Sequence, residues 1–238
     1  MLLNGVYLTY TQYRALIDPH NMDTKQTRKD IGFPNKKEWR EEPAHFTKDN
    51  LFIAGHHVMD RWETDYMKRL SHIATQNGGH VLELGFGMGI SADLIQKNTD
   101  VKTHTIIECH PEVAQKCKNK YGKEIKDGKI ILIEEFWENI VDNLEEEFYD
   151  GILFDTYPLT EEQVHKNHFW FFKDAYRLLK KGGVLTYYSD EEQNYSEEHL
   201  KKLHEAGFNH IGQHICKIYP PENMYWNEKT MIAPEIIK

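Results

Sequence analysis

Three glycines, acids placed at the ends of apolar runs, and one acid set among methionines are the parts of this 238-residue sequence that could do chemistry. Gly85, Gly87 and Gly89 follow the run Val81-Leu82-Glu83-Leu84 at intervals of two. Glycine tolerates positive φ and lets a ligand approach the backbone, and a helix over Ile90 to Lys97 would turn its free N–H groups to the same ligand. A nucleotide-like cofactor is the natural occupant, although a tight strand-to-helix connection with no ligand reads the same way. Glu108 closes the run Thr105-Ile106-Ile107 about twenty residues further on, where nucleotide-binding α/β folds place an acid that accepts hydrogen bonds from ribose hydroxyls. Asp155 follows Ile152-Leu153-Phe154 and opens D-T-Y-P; it either caps the next turn or stands beside the cofactor at a strand's carboxyl end. Glu63 lies midway between Met59 and Met67 at intervals of four, so on a helix the three share a face. That face is either a solvent-side neighbour of a core stripe or the wall of a cavity.

The elements that must position these groups alternate. The spacing Val58, Met59, Trp62, Tyr66, Leu70, Ile73 predicts a helix over Val58 to Asn77 with one buried stripe. After the glycine turn the pattern predicts helix Ser91–Lys97, strand Thr103–Glu108, helix Glu112–Tyr121, strand Ile130–Ile133 and a helix around Glu138–Leu144. Strand Gly151–Phe154, helix Glu161–Leu179, strand Val184–Tyr188 and helix Ser196–Glu205 follow. Such repetition implies a parallel sheet with helices on both faces and the ligand at the carboxyl ends of the strands. Two last runs, Ile211–Tyr219 and Tyr225–Ala233, have no room between them for a crossover helix and should pair antiparallel at the sheet edge. Residues 1 to 50 read as an N-terminal arm. The arm is either a loose tail of little function or, since Phe33, Trp39, Phe46, Leu51 and Phe52 supply more large apolar side chains than a solvated tail needs, a lid over a single domain, 51–238.

A formal net charge of −9 argues against a nucleic-acid-binding or anionic-membrane surface and accommodates a small or cationic substrate. Cys109, Cys117 and Cys216 form no C-x-x-C pair, and no run of about eighteen apolar residues or signal peptide is present, so a cytoplasmic, unexported protein is expected. Fourteen histidines show no metal-ligand spacing, so no metal is expected.

The G-x-G-x-G spacing, with Glu83 two residues before it, resembles the first motif of Rossmann-like, S-adenosylmethionine-dependent methyltransferases. The segments V-M-D-R-W-E-T-D-Y-M (58–67), V-L-E-L-G-F-G-M-G (81–89), I-I-E-C (106–109), F-D-T-Y-P-L-T-E-E (154–162) and R-L-L-K-K-G-G-V-L-T-Y (177–187) together resemble the guanidinoacetate N-methyltransferase family. The likeness runs from about Trp39 to the C-terminus. It implies an α/β class I methyltransferase fold, with a mostly parallel seven-stranded sheet, an antiparallel edge strand and an N-terminal lid. It also implies that Met59, Met67 and the turn Glu83, Gly85, Phe86, Gly87, Met88, Gly89, Ile90 and Ser91 surround S-adenosylmethionine. Glu108 would hold its ribose, with Cys109 and His110 alongside; Glu135 and Phe136 would flank the adenine, and Trp39 would be the lid tryptophan. Glu63 and Asp155 would take the guanidinium of a small-molecule substrate, with Tyr157 beside it.

The chemistry suits those roles. A guanidinium is planar and cationic, and its forked N–H bonds match carboxylates bidentately. Methyl transfer needs a nitrogen lone pair aimed at the methyl donor and an acceptor for the nitrogen's proton; Asp155 is assigned as base and Glu63 as clamp. Trp39 and Tyr157 offer cation–π faces. One departure from the family concerns the substrate carboxylate, which there lies against backbone N–H groups just after the fifth strand. Here Asp190, Glu191 and Glu192 occupy that region. Either they lead into the next helix, or Asp190 and Glu191 face a substrate with a different or more cationic tail, such as arginine or agmatine in place of guanidinoacetate. The competing functions are a protein-arginine methyltransferase, a generic O- or N-methyltransferase, and a cofactor-binding module without turnover. The chain is expected to act as a monomer or homodimer.

Overall fold

The computed structural model describes residues 2–3, 6–7, 32–221 and 226–238. Most of the expected arm before Gly32, and the start of the last expected strand at Tyr225, lie outside the described residues. A two-residue antiparallel pair joins Leu2–Leu3 to Val6–Tyr7. The continuous chain opens with α1 (Lys36–Glu41), whose start is fixed by a reciprocal cap. Asn35 Oδ1 accepts from the Lys37 and Glu38 N–H groups, and Glu38 Oε2 accepts from the Asn35 N–H, each at 3.0 Å.

A small antiparallel sheet follows, β1 (Ala44–Phe46), β2 (Asn50–Ile53) and β3 (His56–Asp60), in the order β1-β2-β3. Because β2 begins at Asn50, arm and domain are joined within one sheet at the expected boundary. Here the helix expected over Val58–Asn77 is corrected. Val58 to Asp60 belong to β3, paired with β2, a 3₁₀ turn spans Arg61–Glu63, and only Thr64–Ala74 form the helix α2. Met59, Glu63 and Met67 therefore lie on three different elements and share no helical face.

The main sheet is built from β4 (Gly79–Leu84), β5 (Val101–Ile107), β6 (Ile130–Ile133), β7 (Tyr149–Phe154), β8 (Leu179–Tyr187), β9 (His210–Lys217) and β10 (Thr230–Ile237). Its order is β9-β10-β8-β7-β4-β5-β6. The five strands β4 to β8 run parallel, and β10 lies antiparallel between β8 and the outermost β9. The expected antiparallel pairing at this edge is thus present, with the last strand running from Thr230 to Ile237. Connecting helices are α3 (Ile90–Gln96), α4 (Pro111–Lys126), α5 (Trp137–Ile140), α6 (Phe172–Leu178) and α7 (Glu197–Ala206). The single helix expected over Glu161–Leu179 is instead two 3₁₀ turns, Glu161–Gln163 and Asn167–Phe171, followed by α6. His165, at φ 60°, interrupts it.

The strands read as continuous apolar runs, yet their side chains alternate between two cores. Val81, Leu153 and Val184 pack with Tyr66, Leu70, Ile95 and Cys117 on the face covered by α2, α3 and α4. Leu82, Leu84, Ile152, Phe154 and Leu185 pack with Phe172, Leu203 and Phe208 on the face covered by α6 and α7. Burial on both faces is what makes a parallel strand uniformly apolar, and each fully buried Leu, Ile or Phe contributes roughly 1.5–3 kcal/mol. Among the described residues no helix is long and apolar enough to cross a membrane.

Candidate active site

Strand order reverses at β4: the chain runs outward through β5 and β6, then returns to place β7 on the other side of β4. In register, Leu84 lies beside Ile107 on one side and Phe154 on the other. The next residues, Gly85, Glu108 and Asp155, therefore emerge together at the carboxyl ends of three adjacent strands. Two bonds tie them: the Gly85 N–H donates to the Ile107 carbonyl and the Asp155 N–H to the Leu84 carbonyl, each at 2.9 Å. This is the switch-point location at which open α/β sheets bind ligands.

The turn needs its glycines. Gly85 has φ 89°, and a Cβ there would lie 2.0 Å from the Asp155 carbonyl oxygen. Gly87 has φ 52°, and its Cβ would meet the Met59 sulfur at 2.8 Å. Glu108 fixes the turn from the side: Oε2 accepts from the Phe86 N–H at 2.9 Å and Oε1 from the His110 N–H at 2.8 Å. Burial pushes the Glu108 carboxyl up, while these N–H groups and that of Gly87 pull against it.

Above the turn lies a cavity of about 1030 Å³. Of the expected site residues, Trp39, Met59, Glu63, Gly85, Phe86, Gly87, Glu108, Cys109, Glu135, Phe136, Asp155, Tyr157 and Asp190 line it. The others stand elsewhere. Met67 is fully buried in the core. Glu83 is also fully buried, beneath the turn, bonded to the Ser91 hydroxyl and 2.8 Å from His104 Nε2 without hydrogen-bond alignment. Met88, Gly89, Ile90 and Ser91 continue from the turn into α3, and His110 turns its Nε2 to the Glu42 carbonyl at 2.8 Å. Glu191 points away from the cavity: its Oε1 lies 3.3 Å from His199 Nδ1 and accepts from the Ser196 N–H at the start of α7.

The two key carboxylates differ in setting. Asp155 is pushed up to about 7, first by burial and then by the charges of Glu83 and Asp190. Glu63 is 3 % exposed, and its Oε2 accepts the Asp60 N–H at 2.8 Å. Asp60 itself is a site residue that sequence reasoning missed. It lines the cavity and takes Trp62 Nε1–H at 3.2 Å, His57 Nε2 at 2.7 Å and the Asn50 amide. The signal was present as D-x-x-E just before a helix, the pattern of a reciprocal cap. Elsewhere on the lining, Glu135 accepts from the Phe136 N–H at 2.8 Å and is held low by that bond first, with Arg40 3.5 Å away. Cys109 is pushed up by burial and by Glu108 and Glu138, so it is a thiol and no nucleophile. No group of three His, Cys, Asp or Glu among the described residues is placed to hold a metal.

These residues fit S-adenosylmethionine. Glycines without Cβ atoms open the turn to it, the Glu108 carboxylate at the strand end suits ribose hydroxyls, and Phe136 beside Glu135 suits a purine.

Among solved structures the chain is similar to spermidine synthase from Thermotoga maritima (TM-score 0.56, 15 % identity, 82 % of this chain and 71 % of that one). It is also similar to TYW2 of M. jannaschii in complex with AdoMet (TM-score 0.53, 18 % identity, 82 % of this chain and 84 % of that one). Among curated proteins it is 36 % identical over 123 residues to protein arginine N-methyltransferase 2 of Candida glabrata, covering 47 % of this chain and 29 % of that protein. It is 32 % identical over 144 residues to the protein of that name in Saccharomyces cerevisiae, covering 56 % and 32 %. The chain thus spans about a third of the length of these relatives. The family model for guanidinoacetate N-methyltransferase matches residues 30–238, which contain every described element from α1 onward, and the chain belongs to that family of methyltransferases.

Proposed function

We propose that this protein is an S-adenosylmethionine-dependent methyltransferase acting on a guanidino nitrogen of a small molecule, guanidinoacetate or a related compound such as arginine or agmatine. The observation that supports the reading is that Glu63, between β3 and α2, and Asp155, at the end of β7, line the same cavity as Gly85 and Gly87. Bound S-adenosylmethionine supplies a methyl carbon on a cationic sulfur, which takes the C–S electron pair as a nitrogen lone pair forms the new C–N bond.

The protein's own groups do the rest. Glu63, fixed by the Asp60 N–H, grips two N–H bonds of the guanidinium and orients it. Asp155 faces the reacting nitrogen and takes its proton; a carboxyl raised to about 7 is a stronger base than an ordinary aspartate and still half ionised near neutrality. The two anions also offset the repulsion between a sulfonium and a guanidinium in one enclosed space. Trp39 stacked on Tyr157 excludes water from above, which gives the segment before β2 its role as a lid.

A second reading, methylation of arginine in a protein, is favoured by the names of the curated relatives. Incubating the full chain with labelled S-adenosylmethionine and guanidinoacetate, arginine, agmatine or an arginine-containing basic peptide separates the two. The small-molecule reading expects label in a free guanidino compound at higher kcat/KM than in the peptide. Label in the peptide alone would replace it with the second reading, and label only on a hydroxyl or carboxyl compound would end both.

A further inference from the structure

The stretch of cavity wall just after β8 has a charge and hydrogen-bond character that bears on the substrate's tail. No Lys or Arg among the described residues lines the cavity, so an anionic tail would find neither there. The other receptor for a carboxylate would be the backbone N–H groups just after β8, and three of them are already bonded. The Tyr188 N–H donates to the Phe154 carbonyl at 3.1 Å, the Ser189 N–H to Tyr66 Oη at 3.3 Å, and the Glu191 N–H to Ser189 Oγ at 3.2 Å.

Between them Asp190 lines the cavity in a left-handed conformation, φ 53°, with its Oδ1 3.2 Å from His165 Nδ1. The loop on either side is pinned: Ser189 Oγ donates to the Ile232 carbonyl at 2.7 Å, and the Ile232 N–H donates to the Glu191 carbonyl at 2.8 Å. Asp190 is therefore held on the wall, near enough to Asp155 for its charge to raise that group. His168 lines the same cavity at 2 % exposure, and its Nε2 has no hydrogen-bond partner. Burial holds its imidazole well below the ordinary value, so it adds no positive charge to the wall.

We infer that Asp190 is a specificity-determining residue that receives a cationic tail, so that the preferred substrate is a guanidino-alkylamine and not a guanidino acid. The inference rests on the guanidino reading above and narrows it. Asp190 supplies the charge and His165 positions it.

The test uses the full chain, labelled S-adenosylmethionine and three compounds: agmatine, 4-guanidinobutanoate of the same length, and ethylguanidine with no charged tail. Agmatine is expected to have a kcat/KM about tenfold or more above the acid, and Asp190→Asn to lower the ratio of the agmatine to the ethylguanidine value about tenfold, since a change at the Asp155 carboxyl acts on both compounds alike. Asp190→Gly, which suits the same φ, should repeat the result if Asn perturbs the loop. Agmatine no better than the acid, or Asp190 variants that slow all three compounds equally, would overturn the tail assignment and leave the guanidino reading standing. Label in none of the three would overturn the tail assignment, and label in neither these nor guanidinoacetate nor arginine would overturn both.

Discussion

Trp39 of α1 and Tyr157, two residues beyond Asp155, stack with ring centroids 4.9 Å apart and planes 12° from parallel. The stack joins the segment before the small sheet to the D-T-Y-P turn that carries the proposed base. Tyr157 is held in turn by its hydroxyl, 3.0 Å from His56 Nδ1 on β3. Such a pair contributes about 0.5–1.5 kcal/mol beyond burial, so Trp39→Ala should lower kcat/KM by roughly 3- to 10-fold. Trp39→Phe should keep most of it. Equal kinetics for the wild type and the alanine variant would show that α1 is no part of the site.

Asp155 gives a prediction in which activity and stability move in opposite directions. Its carboxyl is raised, so the folded chain still holds a proton there at pH values where the unfolded chain has released it. Stability contributed by this group is present below about 4 and lost as pH rises through about 7. Asp155→Asn removes that cost and should be the more stable protein at pH 8, by on the order of 2–4 kcal/mol, read as a rise in Tm. Turnover should fall by about 10²–10⁴, with cofactor affinity by calorimetry nearly unchanged. In the wild type, kcat/KM should rise with pH through about 7 and the asparagine variant should lack that limb. A variant as active as the wild type would remove Asp155 from the chemistry.

What the sequence made legible follows from what each residue depends on. Gly85, Glu108 and Asp155 could be read because each directly follows a strand buried on both faces, and such strands announce themselves by composition alone. Val58 to Asp60 could not, because V-M-D-R-W-E has helical spacing. Its pairing with β2, which sends Leu51 against Met59, is a tertiary fact. Glu191 and Asp190 are adjacent acids in sequence, and only the left-handed backbone at Asp190 and the His199 partner of Glu191 send one to the cavity and the other to α7. Met67, which the family likeness also set beside the cofactor, is buried in the core on α2 while Met59 and Glu63 lie on other elements.

Glu63 separates charge from hydrogen bonding. Its Oε2 receives the Asp60 N–H, a bond that glutamine can keep and alanine cannot. Glu63→Gln should fold normally and raise KM for a guanidino substrate about tenfold or more, since a charge-assisted fork becomes a neutral bond. Glu63→Ala should add a loss of about 1 kcal/mol in unfolding free energy from the orphaned cap. If chemical denaturation gave both variants the same deficit, the cap would carry no stability; if both kept the wild-type KM, Glu63 would be no clamp.

Gly85 and Gly87 should fail in different ways when given a methyl group. At Gly85 the added Cβ would lie 2.0 Å from the Asp155 carbonyl oxygen, and backbone cannot yield as a side chain can. Gly85→Ala must push β4 and β7 apart at the point where the base is held. At Gly87 the obstacle is the Met59 sulfur at 2.8 Å, the mobile part of a flexible side chain, so the cost should be near the 1–2 kcal/mol of a left-handed non-glycine residue. Gly85→Ala is therefore expected to lower Tm several times more than Gly87→Ala. The latter should remain folded and lose cofactor affinity instead, because its methyl group and the displaced methionine occupy the cavity beside the turn. Calorimetric binding of S-adenosylmethionine to the folded Gly87→Ala protein at wild-type affinity would show that the turn does not touch the cofactor.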